Sequence, residues 1–307
     1  MNNTNTLDFK AGTFFIKVLM VICVATLLIY LAKHFGTQYA EDKVRERLEA
    51  SGLSPFVHYE SLHFNPFELE ASLDNVSLGL KDTPWLRLSR ITLDYHPTQP
   101  THLDIEFWIQ HSPAETLSRD TQYWMRKVGI NSLLGKGSLS ANIEDKQITS
   151  QLHLDIKDAG RTTITSDIKM LNQNISLFEL RNDLLVSMAM GQPAGVFIIH
   201  GDAIEMRSAQ IQYEDMGLAK NTLPQPFSLS TIQRSINQLG FAEYGSAELF
   251  KISQTTQDFL QSEGKSLMLD ISPVSPITLK DMALFAYDNQ LFQGANMSLT
   301  TSPTNKR

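Results

Sequence analysis

The segment His63–Leu80, HFNPFELEASLDNVSLGL, alternates apolar and polar residues but changes phase once. From Phe67 as far as Leu73 the apolar residues lie at odd positions, and from Val76 onwards they lie at even positions. An alternation of period two predicts a β-strand with one buried face. A change of phase that keeps the period predicts either a β-bulge or a two-residue hairpin loop at Asp74–Asn75.

A second change of phase occurs between Leu88 and Ile91, around Ser89–Arg90. Preferred hairpin pairs end in Gly, which Asp74–Asn75 does not, and Ser89–Arg90 contains no Gly, Asn or Asp. The sequence therefore favours bulges at both places, with a hairpin as the alternative at the first. Repeated bulges in strands with one apolar face make a sheet curl around an apolar interior. Ordinary sandwich strands with ordinary bulges would need no such groove.

Half-apolar strands continue through most of the remaining chain. Because buried parallel strands are apolar on both faces, this alternation predicts an α+β fold dominated by an antiparallel, curved and bulged sheet with a few packed helices. Helices are predicted at 112–129 and within 228–263. Strands are predicted at 277–287 and 290–300.

The helix predicted at 112–129 has clear terminal signals. Ser112 can cap it, Pro113 occupies the first helical position, and Glu115 can complete a capping box. Trp124 lies on the predicted apolar stripe and is therefore expected in the core. Trp108 lies opposite the apolar phase of its strand, and it is a candidate for a contact surface.

The segment from Phe14 to Ala32 is apolar, with Lys17 as its only charge and no Gly or Pro. About 20 such residues in a helix span a bilayer core of about 30 Å, and Lys17 can extend to the headgroups. The segment therefore predicts an uncleaved transmembrane anchor, with a cleavable signal peptide as the alternative. The distribution of Lys and Arg around the segment does not decide its orientation.

The net charge of −7 argues against nucleic acid as a partner. The only cysteine, Cys23, lies in the apolar segment, which excludes disulfides and thiolate metal sites elsewhere. The chain has no HExxH motif and no G-x-S-x-G motif. The adjacent acids Glu214–Asp215 fit a turn more simply than a catalytic pair. We therefore expect no enzyme activity, no cofactor and no metal.

The segment from Val57 to Tyr95 resembles the start of AsmA-like envelope proteins of Gram-negative bacteria, and the likeness extends over roughly residues 14–110. The residues that carry it are Asn65-Pro66-Phe67 with the following strand, NVSL at 75–78 and WLRLSRITLDY at 85–95. The resemblance implies a single-pass bacterial inner-membrane protein with its C-terminal part in the periplasm. It also implies a role in envelope lipid handling or assembly. This chain is shorter than the large members, which argues against a lipid bridge between two membranes.

With that orientation, the chain divides into four parts. They are a cytoplasmic stub with the transmembrane anchor (1–36), a juxtamembrane helix (37–54), a β-rich periplasmic domain (55–300, with a sub-boundary near 130–136) and a disordered tail (301–307).

The expected partners are the phospholipid membrane and, beyond it, lipid acyl chains or an envelope protein. The candidate face for lipid or partner comprises Leu69, Ala71, Leu73, Val76, Leu78, Leu103, Ile105, Phe107 and Trp108. An accessible face would favour lipid handling. A face filled by the helices at 112–129 and 228–263 would favour a scaffold, and a polar pocket with convergent His and carboxylates would favour an anchored hydrolase.

Overall fold

The computed structural model describes residues 33–303 except for 47, 51, 66, 69, 95–100, 128, 172–178, 180–182, 184–185, 188–189, 192–198, 220–227 and 263–264. The predicted anchor, with Phe14, Lys17 and Ala32, lies outside the described residues, and so does Leu69 of the candidate face. Within the described residues, no helix combines the length and the apolar character needed to cross a membrane.

The described strands form one sheet of twelve, and every pair is antiparallel. Its order is β1-β3-β4-β5-β6-β7-β8-β9-β10-β12, with β2 beside β3 and β11 beside β9. The α+β class and the large antiparallel sheet are thus confirmed. The strands are β1 Val57–His58, β2 Ser61–Asn65, β3 Glu70–Gly79, β4 Pro84–Asp94, β5 His102–Pro113, β6 Ser132–Glu144, β7 Gln147–Ile156, β8 Gly160–Met170, β9 Ile204–Asp215, β10 Lys265–Ile271, β11 Ile277–Thr278 and β12 Met297–Pro303.

The first change of phase is an irregularity inside one continuous strand. β3 passes through Asp74–Asn75 without turning, so the hairpin alternative is wrong. Asn75 adopts a left-handed conformation with φ of 51°. This extra residue restores the apolar phase, which places Leu73 and Val76 in the same hydrophobic cluster.

The second change of phase is a bulge in β4. The register with β5 shifts between Leu88 and Arg90, so Ser89 is the additional residue. The register between β3 and β4 does not shift here, because Ser89 in β4 and Asn75 in β3 occur at the same level. Matching extra residues in neighbouring strands keep the apolar face continuous on both sides of the irregularity.

The left-handed backbone at Asn75 makes a specific prediction. Val in this conformation places its branched Cβ against the following carbonyl oxygen, so Asn75→Val is expected to lower the free energy of unfolding by about 1–2 kcal/mol. Asn75→Gly is expected to retain stability within about 0.5 kcal/mol, since Gly adopts this backbone freely. Urea unfolding followed by circular dichroism measures both. The control is Asn142→Val in β6, and an equal loss there would contradict the argument.

Six helices accompany the sheet in the described part of the chain. They are α1 (33–46 and 48–50), α2 Arg119–Lys127, α3 Leu229–Gln238, α4 Ala247–Gln261, α5 Leu279–Tyr287 and α6 Leu291–Gly294. The predicted juxtamembrane helix at 37–54 is therefore helical over most of its length. It ends before Gly52, whose φ of 69° stops a helix.

The predicted start of the helix at 112–129 is wrong. Ser112 and Pro113 are the last residues of β5, paired with β6, and a short 3-10 turn follows at Ala114–Thr116. Pairing with the sheet thus holds this segment extended where the local signals predict a helix. The helix begins only at Arg119, and Trp124 is consequently 62% exposed rather than part of the core.

Two boundaries near the C-terminus also differ from the prediction. Residues 279–287 and 291–294 are helical rather than strands, and Thr278 with Asp281 forms a complete capping box at the start of α5. The prediction of a disordered tail from residue 301 is wrong for its first three residues. Thr301–Pro303 belong to β12 and pair with β10, so they supply hydrogen-bond partners to the edge of β10.

Buried clusters lie mainly near the two ends of the sheet. Near the N-terminal end, Val76, Leu88 and Ile109 form a cluster on the apolar side of β3, β4 and β5. Near the C-terminal end, helices α3–α6 cover β9, β10 and β12. Their contact includes Leu249 and Ile252 of α4.

Candidate functional site: the apolar face of the sheet

One apolar row crosses ten strands of the sheet. Each member lies directly opposite the next in the strand register, so all side chains of the row lie on one face. With neighbouring strands about 4.8 Å apart, the row is roughly 43 Å long. This central row consists of Phe64, Ala71, Leu93, Ile105, Leu139, Leu152, Ile164, Ile211, Leu269 and Leu299.

In the described part of the chain, the middle of this face is less completely buried than its ends, although Leu154 and Ile156 of β7 pack against the cluster around Val76. No residue of β6 or β7 is fully buried, and within β8 only the terminal residues Gly160 and Met170 are. On β7 the apolar-side residues from Ile148 to Ile156 are half-buried, whereas the polar-side Thr149, Gln151 and His153 are exposed. A strand covered by a second layer would bury its apolar side completely. The central row is therefore accessible between β4 and β8.

Both ends of the apolar face, by contrast, are occupied. At the N-terminal end Val76 is 1% exposed. At the C-terminal end Leu269 and Leu299 pack against the cluster that contains Phe292 of α6. The ring of Tyr213 also meets Phe259 of α4 in an edge-to-face contact with centroids 6.0 Å apart. The stretch of the central row between β4 and β8, called the trough below, thus borders helix-covered strands on its β9 side.

Aromatic side chains lie across glycines on this face. A Cβ at Gly137 would stand 2.3 Å from the ring of Phe107, its cross-strand partner, so only Gly fits there. A Cβ at Gly160 would stand 2.4 Å from the ring of Tyr213. The Tyr213 hydroxyl donates to the carbonyl oxygen of Ala159 at 3.0 Å. Burial and a hydrogen bond with Asp215 raise the pKa of Tyr213, which keeps this hydroxyl protonated.

The residues predicted for the candidate face are partly brought together. Val76 is buried and unavailable to a ligand, and Trp108 lies on the opposite, polar face between Arg90 and Lys136. Leu139, Leu152 and Ile164 of the accessible trough were missing from the predicted set, although their period-two alternation marks them. The other predicted residues that the structure describes are half-buried on the apolar side: Ala71, Leu73, Leu78, Leu103, Ile105 and Phe107.

The opposite face carries a row of paired charges. Arg90 Nε lies 2.8 Å from Asp74, and Arg161 contacts Asp155 at 3.1 Å and Glu214 at 3.3 Å. The hydrogen bond and the charge of the neighbouring Asp raise the pKa of both arginines. This face therefore has its own polar partners and suits contact with water.

The two adjacent acids considered in the sequence analysis, Glu214 and Asp215, are both engaged in ion pairs or hydrogen bonds within the fold. Glu214 pairs with Arg161, while Asp215 accepts hydrogen bonds from Tyr213 and from the backbone N–H groups of Gly217 and Ala219. His200 and Asp183 form a separate pair at 2.7 Å. Among the residues that the structure describes, no group of three or more His, Cys, Asp and Glu could hold a metal ion.

In comparisons with known proteins, no protein-family model matches this chain, and no curated protein matches it. The likeness to AsmA-like proteins therefore rests on the residues quoted above and stays an expectation. The apolar trough is the feature on which a functional proposal can be built.

Proposed function

We propose that this protein binds lipid acyl chains in the trough on its sheet and acts, without catalysing a reaction, in envelope lipid handling at the bacterial inner membrane. The observation that supports this proposal is the central row, which is apolar over ten strands yet only partly buried on β6 and β7. Exposed apolar surface of this extent costs free energy in water unless a ligand covers it. An acyl chain would cover it without requiring polar partners.

The dimensions of the trough fit this ligand. The accessible part of the central row, from Leu93 on β4 to Ile164 on β8, crosses four inter-strand spacings, or roughly 19 Å. One leaflet of a bilayer core is about 15 Å thick. One acyl chain lying across the strands could therefore contact Leu93, Ile105, Leu139, Leu152 and Ile164 in succession.

A scaffold is the second candidate, and the occupied ends of the face favour it. Helices α3–α6 already cover the face at β10 and β12, and a partner helix could cover β5–β8 in the same way. The two candidates differ in what touches Leu152, since a scaffold places protein there and a lipid-handling protein places an acyl chain there.

Position-specific photocrosslinking in cells tests the proposal on the full chain. A photoreactive amino acid at Leu152 points into the trough, whereas the same group at the neighbouring His153 points to the polar face. With phospholipids labelled by radioactive phosphate, we expect a labelled adduct at Leu152 at least about 10-fold stronger than at His153. Lipid extraction followed by mass spectrometry of the adduct identifies the headgroup.

Two outcomes of the comparison between Leu152 and His153 would contradict the proposal. Equal labelling at both positions would show non-specific contact with the bilayer. A protein adduct at Leu152 without a lipid adduct would support the scaffold instead. Expression and protease resistance of each variant confirm that the fold is retained.

A further inference from the structure

Helix α2 presents a cationic and aromatic surface that its own packing leaves exposed. Tyr123 is 53% exposed and Trp124 is 62% exposed, with their ring centroids 5.6 Å apart. Lys127 Nζ lies over both rings, 4.7 Å and 5.6 Å from the centroids. Arg119 and Arg126 are exposed on the same helix. This set of five side chains is called the α2 patch below.

The inner side of α2 is held firmly, so the exposure of the α2 patch is not a consequence of a loose helix. Met125 is buried with Leu117 in a separate cluster. Thr121 Oγ1 donates to the carbonyl oxygen of Trp85 at 3.1 Å, and Gln122 Nε2 donates to that of Leu117 at 2.8 Å. The protein thus holds two large aromatic rings in water.

The charge of the α2 patch opposes that of the whole chain. A shallow cleft of about 450 Å³ along the helix is lined by Arg119, Gln122, Tyr123, Arg126 and Lys127, with no acidic residue. One exposed acid, Asp120, lies one turn before Tyr123 and Trp124 on the same side of α2, so the α2 patch carries three positive charges and borders one negative charge. Asp82 and Glu115 line a second cleft, which Arg119 also lines. Three cations stand out locally on a protein of net charge −7.

Amphipathic rings beside cations suit one chemical environment particularly well. Trp and Tyr prefer the boundary between headgroups and acyl chains, where the ring is in apolar surroundings and its polar edge stays wet. Lys and Arg attract anionic headgroups over the same few ångströms.

The α2 patch lies at a defined end of the sheet. Ser118 N donates to the carbonyl oxygen of Pro84, which is paired with Gly79 at the end of β3. At the other end of the edge strands, Phe64 N donates to Thr37 Oγ1 near the start of α1. Residues 57–65 separate the two ends by roughly 30 Å. The α2 patch therefore lies far from the point where the chain continues towards residue 32.

From the charge, the exposed rings and this position we infer that the α2 patch docks on an anionic phospholipid surface, at the end of the sheet remote from residue 33. Trp124 and Tyr123 enter the headgroup boundary, while Arg119, Arg126 and Lys127 contact phosphates. This contact goes beyond the proposed function, because it involves headgroups and holds whether or not the trough binds an acyl chain.

Fluorescence quenching tests the contact on the full chain. The protein is held in nanodiscs of phosphatidylcholine, and vesicles of brominated phosphatidylcholine with or without 30% brominated phosphatidylglycerol are added. The difference between the wild type and Trp124→Phe isolates the emission of Trp124 from that of the other two tryptophans. We expect quenching of Trp124 only by the vesicles that contain phosphatidylglycerol.

Charge substitution provides the second arm. At about fivefold in affinity per cation, the triple variant R119Q/R126Q/K127Q is expected to bind the anionic vesicles on the order of 100-fold more weakly. The control K157Q/R234Q/K251Q removes the same charge from exposed positions elsewhere and is expected to lose less than about fivefold.

Three results of the quenching and binding measurements would overturn the inference. They are equal quenching by neutral and anionic vesicles, no quenching by either, and an equal loss in the control triple variant. An α2 patch that crosslinks to a protein and not to vesicles would also overturn it, in favour of a protein partner. Adduct formation at Leu152 is measured in a separate experiment. A negative result there would contradict acyl-chain binding in the trough but not docking of the α2 patch, and a negative quenching result would contradict only the docking.

Discussion

Replacing Leu139 and Leu152 together with Asn is expected to lower the yield of phospholipid adduct at Ile164 at least about 10-fold. These two leucines are direct cross-strand partners in the middle of the trough, and Ile164 is the next member of the central row. Asn is close to Leu in shape but cannot offer apolar contact to an acyl chain. Loss of about 1 kcal/mol of contact at each half-buried leucine gives this factor or more.

The sheet offers a matched control for this pair. Ser138 and His153 are also direct cross-strand partners, one residue away on the same two strands, and they lie on the polar face. The variant S138N/H153N therefore changes the same strands without touching the trough, and its adduct yield is expected to stay within about twofold of the wild type. Equal yields from both double variants would contradict acyl-chain binding along the central row.

Gly160→Ala is expected to lower the free energy of unfolding by about 2–4 kcal/mol. The added Cβ would stand 2.4 Å from the ring of Tyr213 and 2.7 Å from the backbone oxygen of Glu214, so the ring must move. Overpacking costs about 1–3 kcal/mol, and loss of the Tyr213 hydrogen bond to Ala159 adds about 1 kcal/mol. Urea unfolding of the full chain in mild detergent measures the change.

A double-mutant cycle separates the clash from a general effect of Ala. If Gly160 is required because of the Tyr213 ring, Gly160→Ala should cost at least about 1 kcal/mol less in a Tyr213→Ala background. The edge-to-face contact between Tyr213 and Phe259 gives a second signal, because a displaced ring should loosen α4 and increase its hydrogen exchange. Additive effects of the two substitutions would contradict the proposed cause.

Local patterns in the sequence predict the sheet and its irregularities well. The alternation in His63–Leu80 identifies β3, and its change of phase marks Asn75, but it does not separate β2 from β3. Such patterns depend on the pleat of each strand, which makes every second side chain share a face. The same alternation contains Leu152 and Ile164. It does not tell which members of the face a helix will cover.

Where the sequence-based prediction is wrong, pairing or packing with distant residues decides the outcome. Ser112 and Pro113 carry the signals of a helix start, but pairing with Leu133 and Ser132 on β6 keeps them in a strand. This moves the start of α2 to Arg119 and leaves Trp124 exposed. A change of a few residues in a helix start reassigns its buried side, because each residue rotates the helix by about 100°.

The amino-acid sequence by itself determined which residues of each strand share a face, and where the strands are irregular, because those properties follow from local backbone geometry. Only the tertiary structure decided that Val76 is buried while Leu139 and Leu152 remain accessible. Burial depends on which helices reach a given strand, and α3–α6 reach β9–β12 but leave no residue of β6 or β7 fully buried. The trough arises from this uneven covering of one continuous apolar face, whereas the exposed α2 patch follows from the start of α2 at Arg119.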